Sequence, residues 1–205
     1  MIGKIVVIRK SEKTPDGFYR LDVTSHDKKG KWFSPFKLGP VTLDDGSVSK
    51  TMENAWQFSK VYADQVDENG NPTDSWWQWR SNGFADERAH RHPHAGKPLY
   101  SYYCGQKLGY IDARKAIYIP LYVRAILGSP EGFNAILYEI NRGTNVAIAD
   151  FDGYNFKKLG MSYEEVINNP NEIMGHGHVL AMMVERPDLI NLICKANVLN
   201  NSVLV

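Results

Sequence analysis

Cysteine is nearly missing from this chain of 205 residues. Cys104 and Cys194 are too few for a disulfide framework, and a reducing compartment is the simplest assumption. No apolar run approaches the ~20 residues that a bilayer crossing needs, and Met1 to Lys10 lacks the apolar core of a signal peptide. A cytoplasmic protein without membrane contact is therefore expected. Neither sign of charge is in excess. Lys and Arg number 24 against 23 Asp and Glu, a net +1, which excludes a polybasic protein that binds by bulk charge but not one with a local basic patch. Internal repeats, low-complexity stretches and linkers are missing as well. What is present is 43% hydrophobic residues, enough for a core that needs neither disulfide nor metal. One domain over 1–205 is expected, with the hydrophobic tail 186–205 docking on it.

Periodicity then assigns elements. Ile5 to Ile8 and Phe18 to Val23 read as two short strands, a hairpin or neighbours, joined through the turn-forming Thr14-Pro15-Asp16-Gly17. Trp32 to Pro40 reads as an ordered loop. Met52, Ala55, Trp56, Ser59 and Tyr62 form one helical stripe, so a helix is expected over about 51–62 with Thr51 as N-cap. After a polar loop come Trp76, Trp77 and Trp79, of which at least one must be partly exposed, and then an irregular stretch, 80–97. Tyr110 to Leu127 reads as a helix interrupted at Pro120. Helices are expected over 133–141, 162–168 and 179–185, and a strand over 144–148. The fold class is α+β, a mainly helical body with a short N-terminal β element.

Several groups of residues invite chemistry. Glu53, Gln57 and Lys60, at i, i+4 and i+7, project within one narrow arc beside the apolar stripe and could line a polar pocket. An ordinary amphipathic helix with a solvated face explains the same spacing. Aromatic rings crowd the first half of the chain, and flat rings sandwich purines and pyrimidines, although core packing accounts for many of them. His90, His92 and His94 alternate, as do His176 and His178. Pro93 and the lack of a zinc signature argue against metal, and no metal or other cofactor is expected. Gly175-His176-Gly177-His178, opening a helix, reads better as a phosphate or hydroxyl contact. Asp150 and Asp152 are either turn formers or acceptors for sugar hydroxyls.

Taken in order, these pieces resemble the NADAR family, also called YbiA-like proteins. Phe33-Ser34-Pro35-Phe36 looks like its Phe-Ser-Asn-Phe, with Pro35 in place of Asn. Met52 to Lys60 is similar to its Ser-Glu-His-x-x-Gln-x-x-Lys helix, matching at Glu53, Gln57 and Lys60 and departing at Met52 and Asn54. Phe151 to Asn155 looks like part of a Trp-Gly-x-Gly segment without the tryptophan. Gly175 to Met183 resembles the closing helix, with His178 where Asn is usual. About twenty residues separate these last two stretches, which the family keeps nearly contiguous. The matching part covers about 32–185.

The resemblance implies an α+β domain whose groove takes ribosylated nucleobases and hydrolyses their N-glycosidic bond. The partner would be an ADP-ribose-containing nucleotide or ADP-ribosylated nucleic acid, with no obligate protein partner. Glu53 would be the catalytic carboxylate and Asp152 a second. Gln57 and Lys60 would contact polar or phosphate groups, and Ser34, Phe36 and Trp56 would line the base pocket. Gly153, Tyr154, His176 and His178 would lie near the ribose or diphosphate. The most specific expectation is removal of ADP-ribose from modified guanine in DNA. The alternative is a protein that binds an ADP-ribose-like nucleotide without turning it over.

Overall fold

The computed structural model describes residues 2–202, with side chains as far as residue 196. Strand β1 (Ile5–Arg9) and strand β2 (Tyr19–Asp22) open the chain, followed by a 3-10 turn (Lys28–Trp32). Two residue pairs, β3 (Val41–Thr42) and β4 (Val48–Ser49), make a small antiparallel ladder before helix α1 (Met52–Gln57). Next come β5 (Lys60–Val61) and helix α2 (Asp74–Ala85), then β6 (Tyr100–Tyr103) and β7 (Gln106–Leu108), which pair antiparallel in the order β5-β6-β7. Helix α3 (Tyr110–Ala113) runs through a π-helical turn (Arg114–Tyr118) into α4 (Ile119–Gly128). Helix α5 (Glu131–Asn141), strand β8 (Val146–Asp150) and helices α6 (Tyr163–Asn168), α7 (His176–Glu185) and α8 (Pro187–Ser202) complete an α+β domain. None of the helices among the described residues is long and apolar enough to cross a membrane.

The first two strands are not hairpin partners, nor even neighbours. Strand β8, from the far end of the sequence, inserts between them, and both run parallel to it, with Val146 opposite Ile5 on one side and Tyr19 on the other. A short link had suggested a hairpin. The link instead travels back along the sheet, where the Arg20 guanidinium clamps it by donating to the carbonyls of Lys10 (2.5 Å) and Glu12 (2.9 Å). All five residues of β8 are buried, as a central parallel strand requires. Val146 and Ile148 face the main core, while Ala147 and Ala149 face a smaller cluster with Ile8 and Val6. Because the strands are parallel, their carboxyl ends lie at one edge of the sheet. Asp150 ends β8 there, opposite Arg9, and Val23 and Thr24 follow β2 there.

Several helix boundaries differ from the sequence expectation for local reasons. Helix α1 stops at Gln57, with the Phe58 N–H closing on the Asn54 carbonyl, so Ser59 to Tyr62 are not helical. The tryptophans at 76, 77 and 79 belong to α2, which extends into the stretch expected to be irregular. Trp76 is fully buried while Trp77 is 44% exposed, so one of the three does reach solvent. Pro120 does not interrupt its helix. The π-turn before it widens the hydrogen-bond ladder where the missing N–H and the ring would otherwise conflict. Arg114, in that turn and buried, donates to the carbonyls of Val166, Ile167, Asn169 and Glu172, which binds the turn to the end of α6. The tail is helical as α8, packed on α7 and α4 through Leu189 and Ile190; residues 203–205 of the expected docking tail lie outside the described residues.

Gly153 follows β8 at the sheet edge, where a Cβ would sit 2.2 Å from the Ile8 carbonyl oxygen. Gly153→Ala should therefore force the strand ends apart and cost about 1–3 kcal/mol. In urea unfolding this reads as a lowered midpoint at unchanged slope; an unshifted midpoint would show that the edge yields freely.

Candidate functional site

A cavity of about 330 Å³ opens at the carboxyl edge of the parallel sheet. That is the place where ligands enter sheets of this kind. Helix α1 forms one wall. Thr51 starts it by accepting from the Asn54 N–H (3.1 Å), and all six helical residues are buried. Glu53 and Gln57, one turn apart, face the cavity together. Lys60 joins them from strand β5, not from the helix. Its backbone is fixed by pairing with Ser101 and by the Trp76 indole, which donates to its carbonyl at 2.8 Å.

These three side chains form a linear relay. Lys60 Nζ donates to Gln57 Oε1 at 2.6 Å, and Gln57 Nε2 donates to Glu53 Oε1 at 2.8 Å. While both ends are charged the amide has only this orientation available, because an ammonium cannot accept and a carboxylate cannot donate. Lys60 Nζ also lies 5.0 Å over the Trp56 ring centroid, and Trp56 packs edge-on against Tyr118 at 5.2 Å. Burial shifts both ends of the relay toward neutrality. It raises Glu53, against the Gln57 hydrogen bond and the Lys60 charge. It lowers Lys60 to about 8, against the attraction of Glu53.

Asp150 dominates the facing wall. Its buried carboxylate accepts the Gly177 N–H at 2.8 Å and stands 3.3 Å from His176 Nδ1, while His176 Nε2 donates to the Val23 carbonyl at 2.9 Å. The glycines of the Gly-His-Gly-His run exist for this carboxylate. A Cβ on Gly175 would lie 2.3 Å from Asp150 Oδ2, and one on Gly177 would lie 3.0 Å from the Asp150 Cβ. The anion at this helix N-terminus is thus the protein's own, and it takes the Gly177 N–H. Asp152 lines the cavity half-buried. Burial raises its pKa, the nearby Asp150 charge raises it further, and Arg91, 3.7 Å away, opposes both.

A roof comes from the stretch 86–99, which carries Arg91 and His92 into the cavity lining. Asn54, buried beside Glu53, holds it by three hydrogen bonds. Its amide donates to the Asp86 and Arg88 carbonyls, both at 3.0 Å, and its oxygen accepts the His90 N–H at 2.9 Å. His90 bonds Asp86 at 2.7 Å; His94 lies 3.1 Å from Asp64 and stacks on Tyr62 at 3.8 Å. His90 and His94 are therefore fasteners of the roof, while His92 lines the cavity. Among the described residues, no three His, Cys, Asp or Glu side chains come together as a metal site.

Of the residues that the resemblance placed in a site, Ser34, Phe36, Glu53, Trp56, Gln57, Lys60, Asp152 and His176 line this one cavity. Three do not. Gly153 packs against the Ile8 carbonyl, Tyr154 turns into the core, and His178 is fully buried, facing the Tyr154 carbonyl at 3.2 Å. Burial lowers His178 to about 4, so it is a neutral core histidine rather than a ligand contact. Arg91, Tyr118 and Arg114 line the cavity without having been singled out. An arginine between alternating histidines carried no spacing signal, and the only indirect one was Asn54, an amide on a helix otherwise buried with its apolar neighbours.

No family model and no curated protein sequence matches this chain.

The relay predicts a titration. Lys60 should titrate near pH 8, well below the ordinary value for a lysine, in NMR spectra of the isotopically methylated protein. Glu53→Gln removes the charge that holds Lys60 up, so its midpoint should fall further. A midpoint that rises or stays in that variant contradicts the relay.

Proposed function

We propose that this chain hydrolyses the N-glycosidic bond of a ribosylated nucleobase, with ADP-ribose attached to guanine in DNA as the favoured substrate. One observation carries the reading: a buried carboxylate and a lysine of depressed pKa, joined through one amide, line a cavity together with the rings of Phe36, Trp56 and Tyr118. The resemblance of Met52 to Lys60 to the NADAR helix points the same way.

The chemistry balances with groups already present. The bond from C1′ of the ribose to the base nitrogen breaks, and its electron pair goes to the base. Lys60, a stronger acid than an ordinary lysine, protonates that nitrogen. Ionised Glu53 stabilises the oxocarbenium character left on the sugar and takes a proton from the water that attacks C1′. The rings hold the base, each stacking contact contributing about 1–3 kcal/mol. Asp152 faces the ribose as an acceptor for its hydroxyls. With the α7 N-terminus engaged by Asp150, the phosphates fall to Arg91, a half-exposed guanidinium on a fastened roof.

An oligonucleotide carrying ADP-ribosylated guanine should release free ADP-ribose with the wild type. Glu53→Gln should lower the rate by about 10²–10⁴-fold, the range a positioned acid or base contributes, while ADP-ribose still binds. Release by the variant at the wild-type rate removes Glu53 from the reaction. Binding of ADP-ribose by both proteins with release by neither makes this a binding protein for an ADP-ribose-like nucleotide.

Arg91→Ala should weaken ADP-ribose by about tenfold or more yet leave an unphosphorylated ribonucleoside unaffected. Equal losses for both ligands would place Arg91 elsewhere than on the phosphates.

A further inference from the structure

A run of unpaired positive charge lies in the stretch 26–37, beside the cavity. Lys28, Lys29, Lys31 and Lys37 are all exposed, and none has an ion-pair partner among the described residues. Asp27 is the single acid in the stretch, and its carboxylate is occupied in accepting the Lys29 N–H at 2.7 Å. Two of the lysines lie over rings, Lys29 over Tyr19 and Lys31 over Trp32, each 4.7 Å from the centroid. In a chain whose net charge is only +1, this is a local concentration of positive charge rather than a general one.

The position of this charge matters more than its amount. A second hollow of about 610 Å³ has Lys31, Trp32, Lys37 and Arg124 in its lining and no Asp or Glu. Arg124 is paired with Asp44, which leaves the two lysines as its uncompensated charges. Between Trp32 and Lys37 the chain passes through Ser34, Pro35 and Phe36, which line the cavity containing Glu53. One stretch of backbone is therefore a wall shared by the two hollows, basic on one side and part of the base pocket on the other.

We propose that this basic groove holds the sugar–phosphate backbone of a nucleic-acid strand whose modified base enters the adjoining cavity. The identity of that base rests on the N-glycosidase reading; the groove itself does not. Lysines without carboxylate partners favour a ligand that brings a regular series of negative charges, and a half-buried tryptophan among them offers a face for a neighbouring base. A free nucleotide, by contrast, would be held by the Glu53 cavity alone and would leave Lys31 and Lys37 without a role. The groove makes the substrate a polynucleotide.

The test uses the full chain and a fluorescein-labelled, unmodified single strand of about 20 nucleotides, followed by anisotropy from about 50 to about 200 mM salt. The wild type should bind with log K falling linearly against log salt. Lys31→Glu with Lys37→Glu, both outside the Glu53 cavity, should weaken binding by about tenfold or more and reduce the slope by about 1.4, at about 0.7 per lost phosphate contact on a single strand. A wild type that does not bind at about 50 mM salt, or a double variant that binds as the wild type does, overturns the proposal. Displacement of the strand by polyglutamate as readily as by unlabelled oligonucleotide also overturns it, in favour of an acidic protein partner. Free ADP-ribose separates the two readings. It should bind wild type and double variant equally; if it binds neither while the oligonucleotide still depends on the lysines, the cavity reading fails and the groove stands.

Discussion

The carboxylate of Asp150 is the constraint around which the cavity is built. It sits buried at the end of the central strand, where a lone charge would be costly, and the surrounding structure is arranged to satisfy it. Helix α7 gives it a backbone N–H and the positive end of its dipole. His176 stands against it and, through its other nitrogen, holds the Val23 carbonyl. That bond sets where β2 hands over to Thr24, Ser25 and His26 on the cavity lip. Both glycines of the helix entry meet the same side chain: Gly175 has no room for a Cβ, and at Gly177 one would crowd Asp150. Replace the carboxylate, and the strand edge, the helix start and the lip lose their common reference.

Across the cavity a different balance operates. Glu53 and Lys60 are opposite charges in one small space, yet each shifts toward its neutral form. Direct contact would normally hold both ionised. Gln57 prevents it: by standing between them it satisfies both with hydrogen bonds but lengthens the charge separation, so burial outweighs attraction at the lysine. The result is an acid and a base whose proton affinities lie closer together than those of free side chains. A proton moves between groups so matched with less driving force in either direction.

How much of this was readable beforehand depended on whether the deciding contact was local. The Thr51 cap and the pairing of Glu53 with Gln57 lie within one helical turn, and spacing alone revealed them. Lys60 was placed correctly in the group for an incorrect reason, because the helix ends before it and a strand delivers it. The short N-terminal strands misled because nothing near them announces that residues 146–150 will come between. The glycines near 175 were read as a phosphate or hydroxyl contact; that Asp150 takes that place depends on a contact across 27 residues. Arg91 is the extreme case. Its position is set by Asn54, over thirty residues earlier, through bonds to backbone atoms that leave no trace in side-chain pattern.

Burying Glu53 and Lys60 is a cost to the fold. A carboxyl whose pKa is raised and an ammonium whose pKa is lowered both destabilise the folded state at neutral pH, since the unfolded chain solvates each charge in full. For the lysine the sign is definite: from about pH 8 upward the unfolded chain holds the proton that the folded one has released, so stability rises with pH until the free lysine titrates. A core-forming helix gains nothing from such a pair. Leucine or methionine at either position would remove the penalty and fill the same space. Charged groups kept at a stability cost, aligned through an amide with no alternative orientation and open to a cavity walled by aromatic rings, are what a site of proton transfer needs. Helix α1 thus carries two of the three members of the relay, Glu53 and Gln57, and through Asn54 it also fastens the roof over the cavity.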